Sequence, residues 1–325
     1  MAADDALIAG VRAGQRRALA KAITLIESTR VDHAERAQAV LEALLPFAGH
    51  SMRIGISGVP GVGKSTFIEA LGLFLIERGH RLAVLAVDPS SSLSGGSILG
   101  DKTRMERLSQ RDEAFIRPSP ASGSLGGVAE KTREAMLLCE AAGYDVIIVE
   151  TVGVGQSETA VAGMTDCFVL LQLPNAGDDL QAIKKGIMEL ADLVVYNKAD
   201  LDPRAAQMAA AQMRSALHML RPSSPNWQPP VLTLSAVKQE GVTQFWQTID
   251  DYRAKLAASG EFDERRRRQA ESWMWQLIDF GLRRAFRENP EVRKLLPGLV
   301  RDVGAGTATP AAAALALLAC QHRKG

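Results

Sequence analysis

Met52-Arg53-Ile54-Gly55-Ile56-Ser57-Gly58-Val59-Pro60-Gly61-Val62-Gly63-Lys64-Ser65-Thr66-Phe67-Ile68-Glu69-Ala70-Leu71 passes from an apolar run, through a glycine-rich loop, into a helical pattern. The loop fits G-x-x-x-x-G-K-[ST] from Gly58 to Ser65 without a gap. Glycines let the backbone curl so that successive N–H groups face phosphate oxygens, and the helix that follows adds its positive N-terminal end. Gly58, Val59, Gly61, Val62, Gly63, Lys64, Ser65 and Thr66 therefore form a candidate cradle for a nucleoside triphosphate. Lys64 is expected to reach the β and γ phosphates, and Ser65 to ligate magnesium. Strand context before the loop and helix context after it separate this match from a chance glycine cluster.

Outward from the loop, the chain alternates β-branched apolar runs with amphipathic stretches as far as about residue 256. Seven candidate strands run Arg53 to Ser57, Arg81 to Val87, Ala114 to Arg117, Val146 to Glu150, Cys167 to Leu173, Leu193 to Tyr196 and Val231 to Leu234. Repeated βαβ units predict an α/β fold with a mostly parallel sheet flanked by helices. Ligand chemistry in such a sheet gathers at the C-terminal strand ends. Residues 1–50 show helical spacing instead, with Leu19, Ile23 and Ile26 on one stripe and Val40, Leu41, Leu44 and Leu45 on another. Beyond Ser259-Gly260 a charge run from Glu264 to Arg268 opens a third region, whose Trp273, Leu277, Phe280 and Leu282 again have helical spacing. The expected organisation is a helical extension over 1–50, a nucleotide-binding domain over 51–258 and a helical arm over 259–325. The arm has little core of its own, so Trp273, Met274 and Trp275 suit an oligomer or partner surface as well as packing. Gly304 to Pro310 breaks it, and Ala311 to Cys320 reads as a last short helix.

With 325 residues and 46% hydrophobic content, the chain can bury a large core. Lys plus Arg total 38 against 37 Asp plus Glu, a balance that favours neither nucleic acid nor an anionic membrane as partner. Cys139, Cys167 and Cys320 lie far apart without a C-x-x-C pair, which suits a reducing compartment. The acidic opening Asp4-Asp5 and the lack of a bilayer-length apolar run point to a cytoplasmic protein.

Asn197-Lys198-Ala199-Asp200 is an N-K-x-D loop at the end of a candidate strand. A carboxylate at Asp200 can accept hydrogen bonds from guanine N1–H and the 2-amino group, whereas adenine N1 is an acceptor and leaves that charge unpaired. The stem of Lys198 can cover the base, and Asn197 can tie the loop toward the phosphate loop. Ser235-Ala236, continued by Val237, closes the last strand, where the Ala236 N–H is a candidate donor to guanine O6. Glu150 ends the buried run Val146 to Glu150, and an unpaired acid there is costly, so it is expected to support magnesium or form an ion pair. Gly153 can offer its N–H to the γ-phosphate. Asp88 ends the strand Leu82 to Val87 at the same edge, and the glycine-rich stretch Gly95 to Arg104 carries Asp101 and Arg104, reading as a nucleotide-responsive switch. Magnesium is thus assigned to Ser65, with Asp88, Asp101 and Glu150 as its carboxylate candidates.

Taken in order, these segments resemble the MeaB family of P-loop GTPases, in which Glu replaces the commoner Asp at the position matched by Glu150. The resemblance covers nearly the whole chain and implies a GTPase chaperone of adenosylcobalamin-dependent methylmalonyl-CoA mutase. On that resemblance the protein gates cofactor loading, helps exclude damaged cofactor and forms a homodimer through its C-terminal arm. Pro174 to Lys184 resembles the family's additional switch, with Asp178, Gln181 and Lys184 at three-residue spacing as its polar face. Ras-like enzymes place a water-orienting glutamine after the motif glycine, but Val154 stands here, so slow intrinsic hydrolysis is expected, with Lys184 or Arg104 as candidates for transition-state charge. Two other classes share phosphate loops. A small-molecule kinase, such as an amino-acid kinase, rarely needs a guanine-reading loop. Metal-inserting GTPases of the nickel-chaperone type usually carry Cys or His clusters, whereas His33, His50, His80, His218 and His322 are scattered.

Overall fold

A computed structural model describes residues 2–28, 30–87, 105–118, 125–151, 157–174, 185–220 and 223–320. Its centre is a seven-stranded sheet: β1 (Met52–Gly58), β2 (Leu82–Val87), β3 (Ala114–Arg117), β4 (Val146–Thr151), β5 (Cys167–Gln172), β6 (Leu193–Tyr196) and β7 (Val231–Thr233). The spatial order is β3-β2-β4-β1-β5-β6-β7, and every pairing is parallel. All seven expected strands are present, with ends displaced by at most one residue. Parallel strands covered on both faces need apolar residues at every position, which is why these runs are continuous rather than alternating.

Successive side chains nevertheless divide between the two faces, as the two-residue period of a strand requires. Ile147 and Val149 of β4 join Ala83, Leu85 and Val87 of β2 in one core layer, while Val146 and Ile148 join Ile54 and Ile56 of β1 in the other. The first layer is roofed by α1 (Ala2–Arg12), α2 (Arg16–Ile26), α3 (Val31–Leu44) and, further along the chain, α6 (Leu125–Ala141). The second holds α4 (Lys64–Ile76), the short α5 (Glu106–Ser109) and α10 (Val242–Ala258). Helices α7 (Ser157–Ala162), α8 (Lys185–Leu190) and α9 (Pro203–His218) complete the first side.

The helical preface buries Leu19, Ile23, Ile26, Val40 and Leu44 in the same core layer as the sheet. Leu45 departs from its expected stripe: a 3-10 turn over Leu45–Phe47 ends α3 and leaves Leu45 57% exposed. Met1–Arg265 forms one compact unit and Arg266–Gly325 a second.

The second unit contains most of α11 (Glu261–Glu288), then α12 (Pro290–Gly304) and α13 (Pro310–Ala319). Asn289 caps α12 by accepting from the Glu291 N–H, and Thr309 caps α13 by accepting from the Ala312 N–H. Among its described residues Val292, Ala313 and Leu317 are buried apolar side chains, whereas Trp275, Ile278, Phe280, Leu282, Val300 and Leu315 are exposed.

At the base of the first unit lies an ion pair between fully buried Asp192, which immediately precedes β6, and Arg265 in the second turn of α11. The guanidinium donates to both carboxylate oxygens, at 3.0 and 2.9 Å, and the Phe168 N–H donates to the same group at 2.8 Å. Burial raises the Asp192 carboxyl above its usual range, and Arg265 opposes that rise. One turn earlier, Glu261 accepts from Ser224 Oγ and Asn226 Nδ2, each at 2.9 Å. Removing one partner of a buried pair strands the other charge, so Arg265→Ala is expected to lower unfolding stability by about 3–5 kcal/mol. Denaturant titration of the first unit's transition checks this, and Arg265→Lys, which keeps the charge but loses the fork, should fall between it and the parent.

Candidate functional site

Gly58 ends β1, and a Cβ there would stand 2.6 Å from the Leu171 carbonyl oxygen of β5, so only glycine lets the chain leave the sheet at this point. The loop then turns through Gly61 (φ 80°) and Gly63 (φ 92°) into α4, whose first residues are Lys64 and Ser65. Lys64 is buried, and its ammonium donates to the carbonyl of Gly58 at 2.7 Å and to that of Val59 at 3.4 Å. A cation held by the loop's own carbonyls is kept beside the loop, and phosphate oxygens would be stronger acceptors for it.

Glu150 lies at the end of β4, next to β1 in the sheet, and is 6% exposed. Ser65 Oγ donates to Glu150 Oε1 at 3.4 Å, so two of the four residues expected at magnesium are in mutual reach. A hydroxyl and a carboxylate are hard oxygen donors, the kind that Mg²⁺ accepts when substrate phosphates and water complete its shell. The residues present therefore fit that ion.

The candidate base-reading loop follows β6. Asn197 is 1% exposed and makes three side-chain hydrogen bonds: Nδ2 donates to the Val62 carbonyl at 2.9 Å, and Oδ1 accepts from the N–H groups of Lys198 (2.8 Å) and Ala236 (3.1 Å). Lys198 adopts φ 60°, a left-handed conformation uncommon for a side chain of its size, and its Nζ donates to the Gly61 carbonyl at 2.8 Å. Its stem thus stretches across the gap between the two loops, where a base would lie. A hydrogen bond from Ser235 holds the Asp200 carboxyl below the usual carboxylate range, with a smaller contribution from Lys238. Asp200 stays ionised at neutral pH, as acceptance from two guanine donors requires.

Gly58–Thr66, Glu150, Asn197–Asp200 and Ser235–Val237 thus gather at the C-terminal edge of β1, β4, β6 and β7. The Ala236 N–H, expected to meet guanine O6, is donated to Asn197 Oδ1 here, and the side chain of Val237 is 77% exposed. Asp88, Asp101, Arg104, Gly153, Asp178, Gln181 and Lys184 lie outside the described residues. Sequence reading did not find the dependence of Asn197 on Gly63: a Cβ on Gly63 would stand 2.7 Å from Asn197 Nδ2. Gly63→Ala should therefore disturb both loops at once, through positive-φ strain of about 1 kcal/mol and displacement of Asn197. The expected outcome is a roughly 10- to 100-fold weaker affinity for a fluorescent GDP analogue with an unchanged circular-dichroism spectrum.

Comparison with known proteins gives one answer. The family model described as "Methylmalonyl Co-A mutase-associated GTPase MeaB" matches residues 19–291. A probable GTPase of Mycobacterium tuberculosis is 57% identical over 315 residues, covering 97% of this chain and 94% of that protein. The mitochondrial methylmalonic aciduria type A homolog of Mus musculus is 49% identical over 325 residues, covering 97% and 78%. Among solved structures, one titled LAO/AO transport system kinase superposes with a TM-score of 0.79 at 40% identity, covering 98% of this chain and 97% of that one. Since the match runs from α2 to the start of α12 and the relatives span nearly the full length, the chain belongs to the MeaB family of P-loop GTPases.

Proposed function

We propose that this GTPase serves as a chaperone of an adenosylcobalamin-dependent methylmalonyl-CoA mutase, using GTP to gate cofactor loading and to protect or reactivate the partner. The observation that carries the reading is the family's description as mutase-associated, joined to a base loop tied by Asn197 to the phosphate loop. In this reading Lys64 leaves the Gly58 carbonyl for the β and γ phosphates, and Asp200 selects guanine. Ser65 and Glu150, with Asp88 or Asp101, hold Mg²⁺, which neutralises phosphate charge when bound. Gly153 senses the γ-phosphate. Asp178, Gln181 and Lys184 form the partner-coupling switch, and Arg104 or Lys184 supplies transition-state charge.

Residues 51–258 are the GTPase domain in this scheme, preceded by the helical extension 1–50 and followed by the arm 259–325. The exposed apolar side chains of that arm, Trp275 and Ile278 among them, support a homodimer. No described helix is long and apolar enough to cross a membrane. We assign the protein to the cytoplasm.

Two measurements test the reading. Asp200→Ala should weaken GTP binding by about 10- to 100-fold, the equivalent of a charged hydrogen-bond pair, with no matching change for ATP. Purified parent protein should hydrolyse GTP slowly alone and faster with the mutase. Lys184→Ala should keep nucleotide affinity but lose about tenfold or more of that stimulation. Full-rate hydrolysis without a partner, or transfer of phosphate from GTP to an amino acid, would sink the chaperone assignment.

A further inference from the structure

The ladder between β1 and β4 closes with Ile56 opposite Glu150. One residue further on, the strands are joined by side chains: Thr151 Oγ1 donates to Ser57 Oγ at 2.9 Å, and both residues are 0% exposed. On the face that this pair shares, the preceding positions of β4 are the aliphatic Ile147 and Val149, and the nearest position of β1 is Gly55, packed against Val161 and Phe168. An alanine facing a valine would fill this space without having to desolvate two hydroxyls, so core packing alone gives no reason for a polar pair here.

Its neighbours do give a reason. Ser57 precedes Gly58, whose carbonyl holds Lys64 Nζ, and Thr151 follows Glu150, whose carboxylate faces Ser65 Oγ. Lys64 and Ser65 are adjacent in the chain, so the contacts close a ring: Lys64, Gly58, Ser57, Thr151, Glu150, Ser65 and back. Within it the Ser57–Thr151 bond links the side chains of the strand carrying the phosphate loop and the strand carrying the carboxylate. The backbone pairing has already ended at that level.

We infer that Ser57 and Thr151 are positioning residues for GTP hydrolysis, whose buried hydrogen bond fixes the spacing between the phosphate-gripping loop and the carboxylate on the metal side. This rests on the assignment of Ser65 and Glu150 to Mg²⁺. In this role both hydroxyls act through their neighbours. Their removal therefore alters placement rather than recognition.

The test uses the full-length protein carrying Ser57→Ala, Thr151→Val, both together, Thr151→Ser, and Glu150→Gln as a control for the metal assignment. Loss of one neutral hydrogen bond corresponds to about a five- to tenfold lower kcat for GTP, and KM should change by less than about threefold. In a second readout, the Mg²⁺ concentration that half-saturates tight binding of a fluorescent non-hydrolysable GTP analogue should rise about threefold or more. The double variant should be no worse than the poorer single one, because both remove the same bond. Thr151→Ser should restore both readouts. The inference is overturned if the double variant shows the product of the two single losses, if Thr151→Ser behaves like Thr151→Val, or if KM rises as much as kcat falls. A kcat loss accounted for by unfolded protein in a thermal melt would also overturn it. If Glu150→Gln leaves the Mg²⁺ requirement unchanged, the metal assignment itself fails; if it raises that requirement while Ser57→Ala and Thr151→Val do not, only the positioning role fails.

Discussion

The side chain of Asn197 holds the candidate nucleotide site together. One primary amide binds the carbonyl of Val62 in the phosphate loop, the N–H of its own neighbour Lys198, and the N–H of Ala236 after β7. Three segments far apart in sequence therefore meet at one group. An aspartate in its place loses the Nδ2 donor to Val62, and a glutamine is a methylene too long for the space left by Gly63. The loop after β1 and the loops after β6 and β7 are thus not independent parts of this fold, since they share a hub.

That hub works because the sheet delivers its ends accurately. Parallel pairing puts the C-terminal ends of β1, β4, β6 and β7 at one edge, and two apolar layers hold the strands from either side. At the opposite edge the buried polar network is equally specific. Glu140 accepts from the Gly49 N–H at 2.7 Å and from Arg53 Nε and Nη2 at 2.8 and 2.9 Å, while Asp166 accepts from the Arg53 N–H at 2.8 Å. Burial alone would raise the Glu140 carboxyl, yet these donors outweigh it and hold it below the usual range. The contribution of Glu140 to stability is therefore complete above the ordinary Glu range and is lost as pH falls through its lowered folded value.

The sheet and the two candidate nucleotide loops were legible in the sequence for the same reason: their information is local. A run such as Val146 to Val149 announces a doubly covered strand by composition, and Gly58 to Ser65 announces a glycine-rich turn into a helix by spacing. Contacts between distant segments left no such trace. Nothing near Arg265 marks it as the partner of Asp192, 73 positions earlier, since it sits in a run of four arginines whose other members look alike. The Ala236 N–H, a candidate donor to guanine O6 by sequence, is donated to Asn197 Oδ1, a side chain 39 residues away that local sequence does not point to. Leu45 satisfied the helical period but fell one residue beyond the end of α3, where the backbone changes pitch.

The second unit is unlike the first in how it meets water. With Val292, Ala313 and Leu317 as its buried apolar side chains among the described residues, and a long helix without a single buried one, its own packing contributes little cohesion. The order of such a unit is governed by mass action: whatever covers its apolar faces enters the equilibrium as a ligand and raises its melting temperature with concentration. Dilution is then a structural variable for these residues, and the same chain can be firm in its first unit and loose in its second in one test tube.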